Sequence, residues 1–236
     1  MENFEKQNFF ETKFSLDNLK RQKTSILGNR VTFTGFDKFG STKDVMIKEY
    51  YDTPDFFLQE RGITVNKNTI KGSKTSELIV RFDTGRERIQ FLSNIPDTFV
   101  LTIGKKDSIY KYSEFIASSI SELVPNGISV DLMQLANSIY KICTVTKQRE
   151  THKYINIIGF KMELSFTIAD FQSNISRKRD KQLMLEISSK SLDKSDDYGA
   201  FIKKISFNNP TLIKLKSSDI EIAKELLFND KNKDKK

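Results

Sequence analysis

Residues 49–63 read Glu-Tyr-Tyr-Asp-Thr-Pro-Asp-Phe-Phe-Leu-Gln-Glu-Arg-Gly-Ile, and they carry the most specific structural information in the sequence. A strand is predicted to end at Tyr51, because the turn-forming residues 52–55 follow it. Leu58 is expected to anchor a short helix, which Gly62 terminates before the next strand. The stretch therefore predicts a strand, a turn, a short helix and a second strand, with a structural rather than a catalytic role.

Alternation of apolar and polar residues with a period of two dominates the chain outward from this stretch. It is clearest in residues 10–16, 78–82, 162–168 and 183–187. Each segment is predicted to be a strand with one apolar and one polar face. Further strands are predicted at residues 29–36, 43–51, 88–92, 98–103 and 139–153. Short strands separated by turn residues favour an antiparallel sheet or barrel.

Helical spacing of apolar residues is less common. Helices are predicted at residues 19–23, 113–123, 130–139 and 217–228. A sheet with attached helices belongs to the α+β class. The sequence has no internal repeat and no long Pro/Gly/Ser linker, so residues 1–229 are predicted to form one domain. Residues 230–236 alternate Lys with Asp and Asn, and they are predicted to be a disordered tail.

Composition excludes several classes of protein. One cysteine (Cys143) and one histidine (His152) among 236 residues exclude a disulfide-built scaffold and a structural zinc site. Cys143 is expected to be a small buried apolar residue, and His152 an exposed residue at a strand end. The sequence has no apolar run long enough for a signal peptide or a membrane span, so a cytoplasmic protein is expected.

The net charge of +8 favours polyanionic partners such as nucleic acid, polyphosphate, nucleotides or anionic lipid. The alternative is a lysine-rich solvated surface without a specific partner. The polar strand faces bear on this choice because they mix both charges, for example Glu11 with Lys13. If such faces turn inward, cations could hold phosphate oxygens while carboxylates hold a divalent metal. The competing interpretation is a one-sided sheet whose polar face meets water.

Residues 49–63 closely resemble the Tyr/Phe-Asp-Thr-x-Asp-x-x-Leu-x-x-x-Gly stretch of CYTH domains, the triphosphate tunnel metalloenzymes. Other segments follow the order of that family across most of residues 8–190. The family opens with a Glu-x-Glu-x-Lys strand, and the matching positions here are Phe9, Glu11 and Lys13.

Later segments extend the resemblance. An Arg-x-Arg strand of the family corresponds to residues 66–68, which read Asn-Lys-Asn, and an inward lysine corresponds to Arg81. A Lys-x-Arg strand is intact at residues 147–149. A strand with an acidic residue and a following Asp resembles residues 163–170, and the final Glu-x-Glu corresponds to residues 186–188, which read Glu-Ile-Ser.

The resemblance implies an antiparallel eight-stranded β-barrel, or tunnel, with helices packed outside. It implies metal-dependent hydrolysis of tripolyphosphate, thiamine triphosphate or RNA 5′-triphosphate ends, or the related cyclisation of ATP or polymerisation of phosphate. It also implies a Mg²⁺ or Mn²⁺ cofactor. The implied metal ligands are Glu11, Glu163 and Glu186, of which Glu11 and Glu186 would be catalytic, and the implied phosphate ligands are Lys13, Arg81, Lys147 and Arg149.

Four positions depart from the pattern of the family. Phe9 and Ser188 each remove one carboxylate of a metal-binding pair, and Asn66 and Asn68 remove two cations. Two functions therefore remain open. The first is a triphosphate tunnel phosphohydrolase with a diverged active site. The second is a degenerate tunnel that binds a phosphorylated ligand or a partner protein without turnover.

Overall fold

The computed structural model describes residues 7–8, 10–83, 88–96, 106–123, 130–189, 195–216 and 218–228. Its strands are β1 (Gln7–Asn8), β2 (Phe10–Ser15), β3 (Phe36–Asp52), β4 (Ile63–Ile70), β5 (Thr75–Asp83), β6 (Arg88–Pro96), β7 (Tyr140–Asn156), β8 (Lys161–Ser173), β9 (Arg179–Ser189) and β10 (Ile213–Lys214). Its helices are α1 (Leu19–Gly28), α2 (Lys106–Leu123), α3 (Leu132–Ser138), α4 (Ser195–Asn208) and α5 (Asp219–Ala223), which a π-helical turn, Lys224–Phe228, extends. No helix within these ranges is both long and apolar enough to cross a membrane.

The strands form one sheet in the order β1-β6-β5-β4-β3-β7-β8-β9-β2-β10. The pairings β10–β2, β2–β9, β3–β4, β4–β5 and β5–β6 are antiparallel. The predicted antiparallel sheet with helices is confirmed, but a closed barrel of eight strands is wrong for the described residues. The sheet has ten strands and two ends. Each end is a two-residue strand, which is too short to continue a hydrogen-bond ladder around a barrel.

The chain divides into two compact units that are interleaved along the sequence. The first unit is built mainly from Met46–Val145 and Gln172–Lys178, and the second from Asn8–Val45, Thr146–Phe171 and Arg179–Lys236. The single domain over residues 1–229 stays a prediction. The predicted tail at residues 230–236 and the predicted strand at residues 98–103 lie outside the described residues.

The apolar core of the first unit lies between its strands and two helices. Leu78 and Val80 of β5 are fully buried, as the alternating pattern predicts, and Ile116 of α2 is buried in the same cluster. The helix α3 adds Leu135 and Ala136 to this core. One face of β4, β5 and β6 is therefore covered by helices.

The first unit also contains residues 49–63, whose predicted local structure is confirmed. The carboxylate of Asp52 accepts hydrogen bonds from the backbone N–H groups of Thr53, Leu58 and Gln59, at 2.7, 2.9 and 2.9 Å. A single 3₁₀ turn, Gln59–Arg61, follows, and Gly62 ends it with a φ of 73°. Because β4 then begins at once, this turn fixes the path from β3 into β4.

The second unit has its own apolar core. Phe14 of β2, Leu164 of β8 and Leu185 of β9 are buried against Phe201 and Ile205 of α4. We did not predict α4 from the sequence, although Tyr198, Phe201, Ile202 and Ile205 have helical spacing. In β2 and β8 the even-numbered apolar residues face this core, and in β9 the odd-numbered ones do. The opposite faces of these strands are left for polar and charged residues.

Residues 30–35 are turns rather than the predicted strand. Backbone bonds join residues three apart, from Thr32 N–H to Asn29 C=O at 3.1 Å and from Phe36 N–H to Phe33 C=O at 2.9 Å. Gly35 has a φ of 84°, which suits glycine and interrupts extended structure. The strand β3 therefore begins only at Phe36.

Candidate functional site

Charged side chains meet in the second unit on the strand face opposite its apolar core. In the β2–β9 ladder, Glu11 lies opposite Ser188 and Lys13 lies opposite Glu186. Phe14 and Leu185, which are adjacent in sequence to Lys13 and Glu186, point into the core. Because successive residues of a strand point to opposite faces, the register that buries the apolar residues also brings Lys13 and Glu186 together.

Two lysine ammonium groups are held between carboxylates at this face. The Nζ atoms of Lys13 and Lys147 both donate to one oxygen, Oδ1 of Asp219, at 2.7 and 2.8 Å. Lys147 Nζ also donates to Glu186. Glu11 Oε2 lies 3.5 Å from Lys13 Nζ. We call these five residues, Glu11, Lys13, Lys147, Glu186 and Asp219, the lysine cluster.

The lysine cluster is buried, although the polar strand faces could equally have met water. The side chains of Lys13, Lys147 and Asp219 are each only 1% exposed. Burial would lower the pKa of Lys147, but the carboxylates of Asp219, Glu186 and Glu11 more than compensate and raise it. Lys147 therefore remains charged at neutral pH. A buried charge is tolerated only when it is paired in this way.

Two neighbouring side chains extend the lysine cluster. Thr167 Oγ1 of β8 donates to Glu186 Oε2 at 2.9 Å and orients that carboxylate. Arg149 of β7 forms a bidentate salt bridge with Asp44, in which Nε and Nη2 donate to the two carboxylate oxygens at 2.8 Å each. Burial lowers the pKa of Arg149, but the Asp44 contact, with Glu186 and Glu163 nearby, raises it overall.

One predicted site residue of the second unit, Glu163, stands apart from the lysine cluster. The side chain of Glu163 is 45% exposed, and its Oε1 lies 3.6 Å from Lys153 Nζ. The structure does not bring Glu163 into the lysine cluster. Phe9, the expected departure from the acidic pair, lies outside the described residues.

The remaining predicted positions belong to the first unit. Arg81 lies on β5, and its Nη2 donates to Gln90 Oε1 of β6 at 3.2 Å. Asn66 Nδ2 donates to Asn68 Oδ1 at 2.7 Å. The two asparagines, which the resemblance aligns with cations of the family, thus form a hydrogen bond with each other on β4.

Asp219 is the residue that we did not predict from the sequence. Its helix was predicted, and Ser218 with Glu221 forms a capping box that starts α5. The capping box places Asp219 in the first turn of α5. Its contact with Lys13 joins residues 206 positions apart, which no local pattern could indicate.

His152 differs from its expected position. It is buried, with 5% of its surface exposed, because β7 continues past it to Asn156. Its Nε2 lies 3.1 Å from Glu150 Oε1, and its ring packs edge-on against Phe166. Cys143 is fully buried as predicted.

The lysine cluster fits a divalent metal only in a limited way. No group of three His, Cys, Asp or Glu side chains among the described residues could hold a metal ion. Glu11 Oε2 and Glu186 Oε1 do flank the same ammonium group, that of Lys13, at 3.5 and 4.0 Å. Mg²⁺ is often held by one or two carboxylates together with phosphate oxygens and waters. These two carboxylates therefore fit a hard cation that arrives with a phosphate ligand.

Comparison with known proteins gives similarity in structure only. No family model matches the chain, and no curated protein sequence matches it significantly. A candidate adenylate cyclase from Bacillus halodurans is 10% identical over 95% of this chain and 99% of its own, with a TM-score of 0.56. A candidate adenylate cyclase from Vibrio parahaemolyticus is 15% identical over 92% and 97%, with a TM-score of 0.48.

A third solved structure is that of a candidate adenylyl cyclase from Hippeastrum with a dominant triphosphatase activity. It is 8% identical over 93% of this chain and 95% of its own, with a TM-score of 0.47. The likeness to the Bacillus halodurans protein shows that the chain shares its fold. This is the CYTH, or triphosphate tunnel, fold that residues 49–63 led us to expect.

Proposed function

We propose that the chain is a metal-dependent phosphohydrolase that acts on a triphosphate or polyphosphate at the lysine cluster. One observation carries this proposal, namely that two buried lysines meet two carboxylates, Glu11 and Glu186, on the polar faces of the strands. Lys13 and Lys147 are positioned by β2 and β7, and Glu11 and Glu186 by β2 and β9. Ammonium and guanidinium groups bind phosphate oxygens through strong charge-assisted hydrogen bonds.

The cations of the site have the roles of binding and orienting the phosphate chain. Lys13 and Lys147 would bind its innermost oxygens, because both ammonium groups converge on one point in the structure. Arg149 would bind a further phosphate with its remaining N–H groups. Its guanidinium is held rigidly by Asp44, which reduces the entropy lost on binding. Arg81 stays a proposed phosphate ligand on the strength of the resemblance.

The carboxylates have the role of holding the metal. Glu11 and Glu186 would bind a Mg²⁺ or Mn²⁺ ion, whereas Glu163 stays a proposed ligand on the strength of the resemblance alone. Thr167 Oγ1 donates a hydrogen bond to the second oxygen of Glu186, and this bond fixes the orientation of the Glu186 carboxylate. A metal bound by these carboxylates supplies Lewis acidity, which stabilises negative charge on the phosphoryl oxygens.

A second candidate function is favoured by the ion pairs of the site. Glu186 forms a salt bridge with Lys147, and Asp44 forms one with Arg149. The carboxylates therefore partly neutralise the cations that would bind a phosphate. Ser188 replaces one carboxylate of the expected acidic pair. Both observations favour a domain that binds a phosphorylated ligand or partner protein without turnover.

Phosphate release separates the two functions. We would measure it from tripolyphosphate, thiamine triphosphate, ATP and 5′-triphosphorylated RNA, each with Mg²⁺ and with Mn²⁺. The phosphohydrolase predicts metal-dependent release that falls at least about tenfold in Glu186→Gln, because a charged ligand is lost at constant volume. Glu225→Gln is the control, since its carboxylate is 55% exposed and contacts Lys216. Binding without release from any substrate would favour the second function.

Binding itself has a matched pair of variants. Arg149 and Arg179 each bond an aspartate through Nε and Nη2, but Arg179 pairs with Asp170 at the surface. Titration calorimetry with tripolyphosphate should show binding about tenfold or more weaker in Arg149→Ala, since a charge-assisted contact is lost. Arg179→Ala should bind like the wild type. Equal losses in both variants would show that the arginines act only through general charge.

A further inference from the structure

We propose that Asp219 is an internal anionic ligand of Lys13 and Lys147, which a polyphosphate must displace and which thereby selects highly charged ligands. The inference rests on the proposed function, because it concerns how the same site admits its ligand. It assigns a role in specificity to α5, a segment outside the strands that carry the other charged residues.

The geometry of the two lysines supports displacement. A single oxygen, Oδ1 of Asp219, accepts hydrogen bonds from both ammonium groups, at 2.7 and 2.8 Å. A phosphate oxygen bound by the same two lysines would have to lie at the same point. Both ammonium groups are almost completely shielded from solvent, at 1% exposure. A phosphate therefore cannot reach the lysine pair while Asp219 remains in place.

The segment that carries Asp219 has a local structure of its own. Ser218 Oγ accepts from the Glu221 N–H at 3.3 Å, and Glu221 Oε2 accepts from the Ser218 N–H at 3.1 Å. This capping box stabilises the start of α5 through contacts within the segment. The buried apolar residues Ile220, Ile222 and Leu227 of the segment do not belong to the apolar core of the second unit among the described residues. Movement of the segment would expose these apolar residues, which adds to the cost of displacing Asp219, but it would remove no residue from that core.

The energetics of displacement favour a polyphosphate over a single phosphate. Removing Asp219 from the lysines breaks two charge-assisted hydrogen bonds, which are stronger than neutral ones. Inorganic phosphate can replace those two bonds but offers little beyond them. Tripolyphosphate has more anionic oxygens along its chain, so it can replace both bonds and also reach cations such as Arg149. Asp219 thus makes the binding of inorganic phosphate unfavourable but still allows tripolyphosphate to bind.

Titration calorimetry with tripolyphosphate and with inorganic phosphate tests this role. Asp219→Asn keeps the side-chain volume and removes the competing charge. We expect this variant to bind tripolyphosphate about tenfold more tightly than the wild type and to bind inorganic phosphate measurably. Glu225→Gln is the matched control, because it removes a carboxylate from the same segment that contacts Lys216 and not Lys13 or Lys147. It should bind both anions like the wild type.

Hydrogen–deuterium exchange on the wild-type protein gives a test that needs no variant. Tripolyphosphate should increase exchange in residues 218–228, because Asp219 leaves the lysines, while it protects β2 and β9. A change in overall charge alone would not produce this local increase. Because it uses the wild-type protein, this experiment tests the displacement of Asp219 even if Asp219→Asn does not fold.

The outcomes separate this inference from the proposed function. Equal or weaker tripolyphosphate binding by folded Asp219→Asn would overturn the inference alone, as would unchanged exchange in residues 218–228 of a wild type that binds. If neither wild type nor folded Asp219→Asn binds tripolyphosphate, the proposed function fails, and the inference fails with it.

Discussion

At the residue scale, His152 shows how burial without full hydrogen bonding sets a pH dependence. Its Nδ1 is buried and has no hydrogen-bond partner in the described part of the chain. Burial lowers the pKa of His152, and the positive charges of Lys38 and Lys23 lower it further. The carboxylate of Glu150 opposes this shift but does not reverse it. The folded protein therefore favours the neutral imidazole.

The free energy of unfolding should fall as the pH drops below the pKa of His152 in the unfolded chain. The unfolded chain takes up a proton near pH 6.5, whereas the folded protein does so only at lower pH. The contribution is fully present above about pH 7 and decreases as the pH falls towards the folded pKa. Urea denaturation at about pH 7.5 and about pH 5.5 should show a larger loss in the wild type than in His152→Gln. Parallel pH profiles for the two proteins would contradict this.

Sequence analysis could identify charged residues on a shared strand face but not how deeply they are buried. The alternation around Lys13, Lys147 and Glu186 assigned each residue to the polar side of its strand. Their meeting depends on the register between β2 and β9 and on contacts across more than a hundred residues. Asp219 could not be assigned at all, because only the packed segment after α4 brings it to the lysines.

At the element scale, the turn after β3 depends on one carboxylate. Asp52 is buried and accepts three backbone N–H bonds, whereas the neighbouring Asp55 is exposed. Asp52→Asn should lower the free energy of unfolding by about 2–3 kcal/mol, because the amide NH₂ faces backbone donors and the charge-assisted bonds are lost. Asp55→Asn should have a much smaller effect. Equal effects in chemical denaturation would mean that the turn does not depend on Asp52.

The β2–β9 ladder allows a test of Ser188, the position at which the resemblance implies a carboxylate of a metal-binding pair. Ser188 lies opposite Glu11, so Ser188→Glu would place two carboxylates side by side. Like charges directly opposite each other destabilise an antiparallel pair by about 0.2–1 kcal/mol. The melting temperature of the variant should therefore fall without metal, and Mn²⁺ should raise it by more than it raises that of the wild type. Ser188→Gln has the same size without the charge, and an equal response to Mn²⁺ in both variants would argue against a metal at this position.

Elements were predictable where one local signal was strong. The strands β2, β5, β8 and β9 follow from clear alternation with one apolar face. Residues 29–36 were misassigned because their β-branched and aromatic residues outweighed the turn signals of Asn29 and Gly35. Closure of the sheet was not predictable, since it depends on pairing between strands that are distant in sequence.

At the scale of the whole molecule, the attraction for anions and the binding site have different origins. The chain has a net charge of +8. The lysine cluster itself combines two lysines with three carboxylates, Glu11, Glu186 and Asp219. Its local charge is therefore not positive. Long-range attraction of a polyphosphate must come from the other lysines and arginines of the molecule, whereas tight binding requires the local exchange of Asp219 for phosphate.

This separation predicts different salt dependences for the two rate constants of tripolyphosphate binding. Exposed charges are screened beyond a Debye length, which falls from about 10 Å at about 0.1 M salt to about 3 Å at about 1 M. The association rate constant, measured by stopped flow, should therefore fall several-fold over this range. The dissociation rate constant should change less, because bonds to buried lysines are screened much less than surface charges. If salt acts mainly on dissociation, the bound phosphates lie at the surface and not at Lys13 and Lys147.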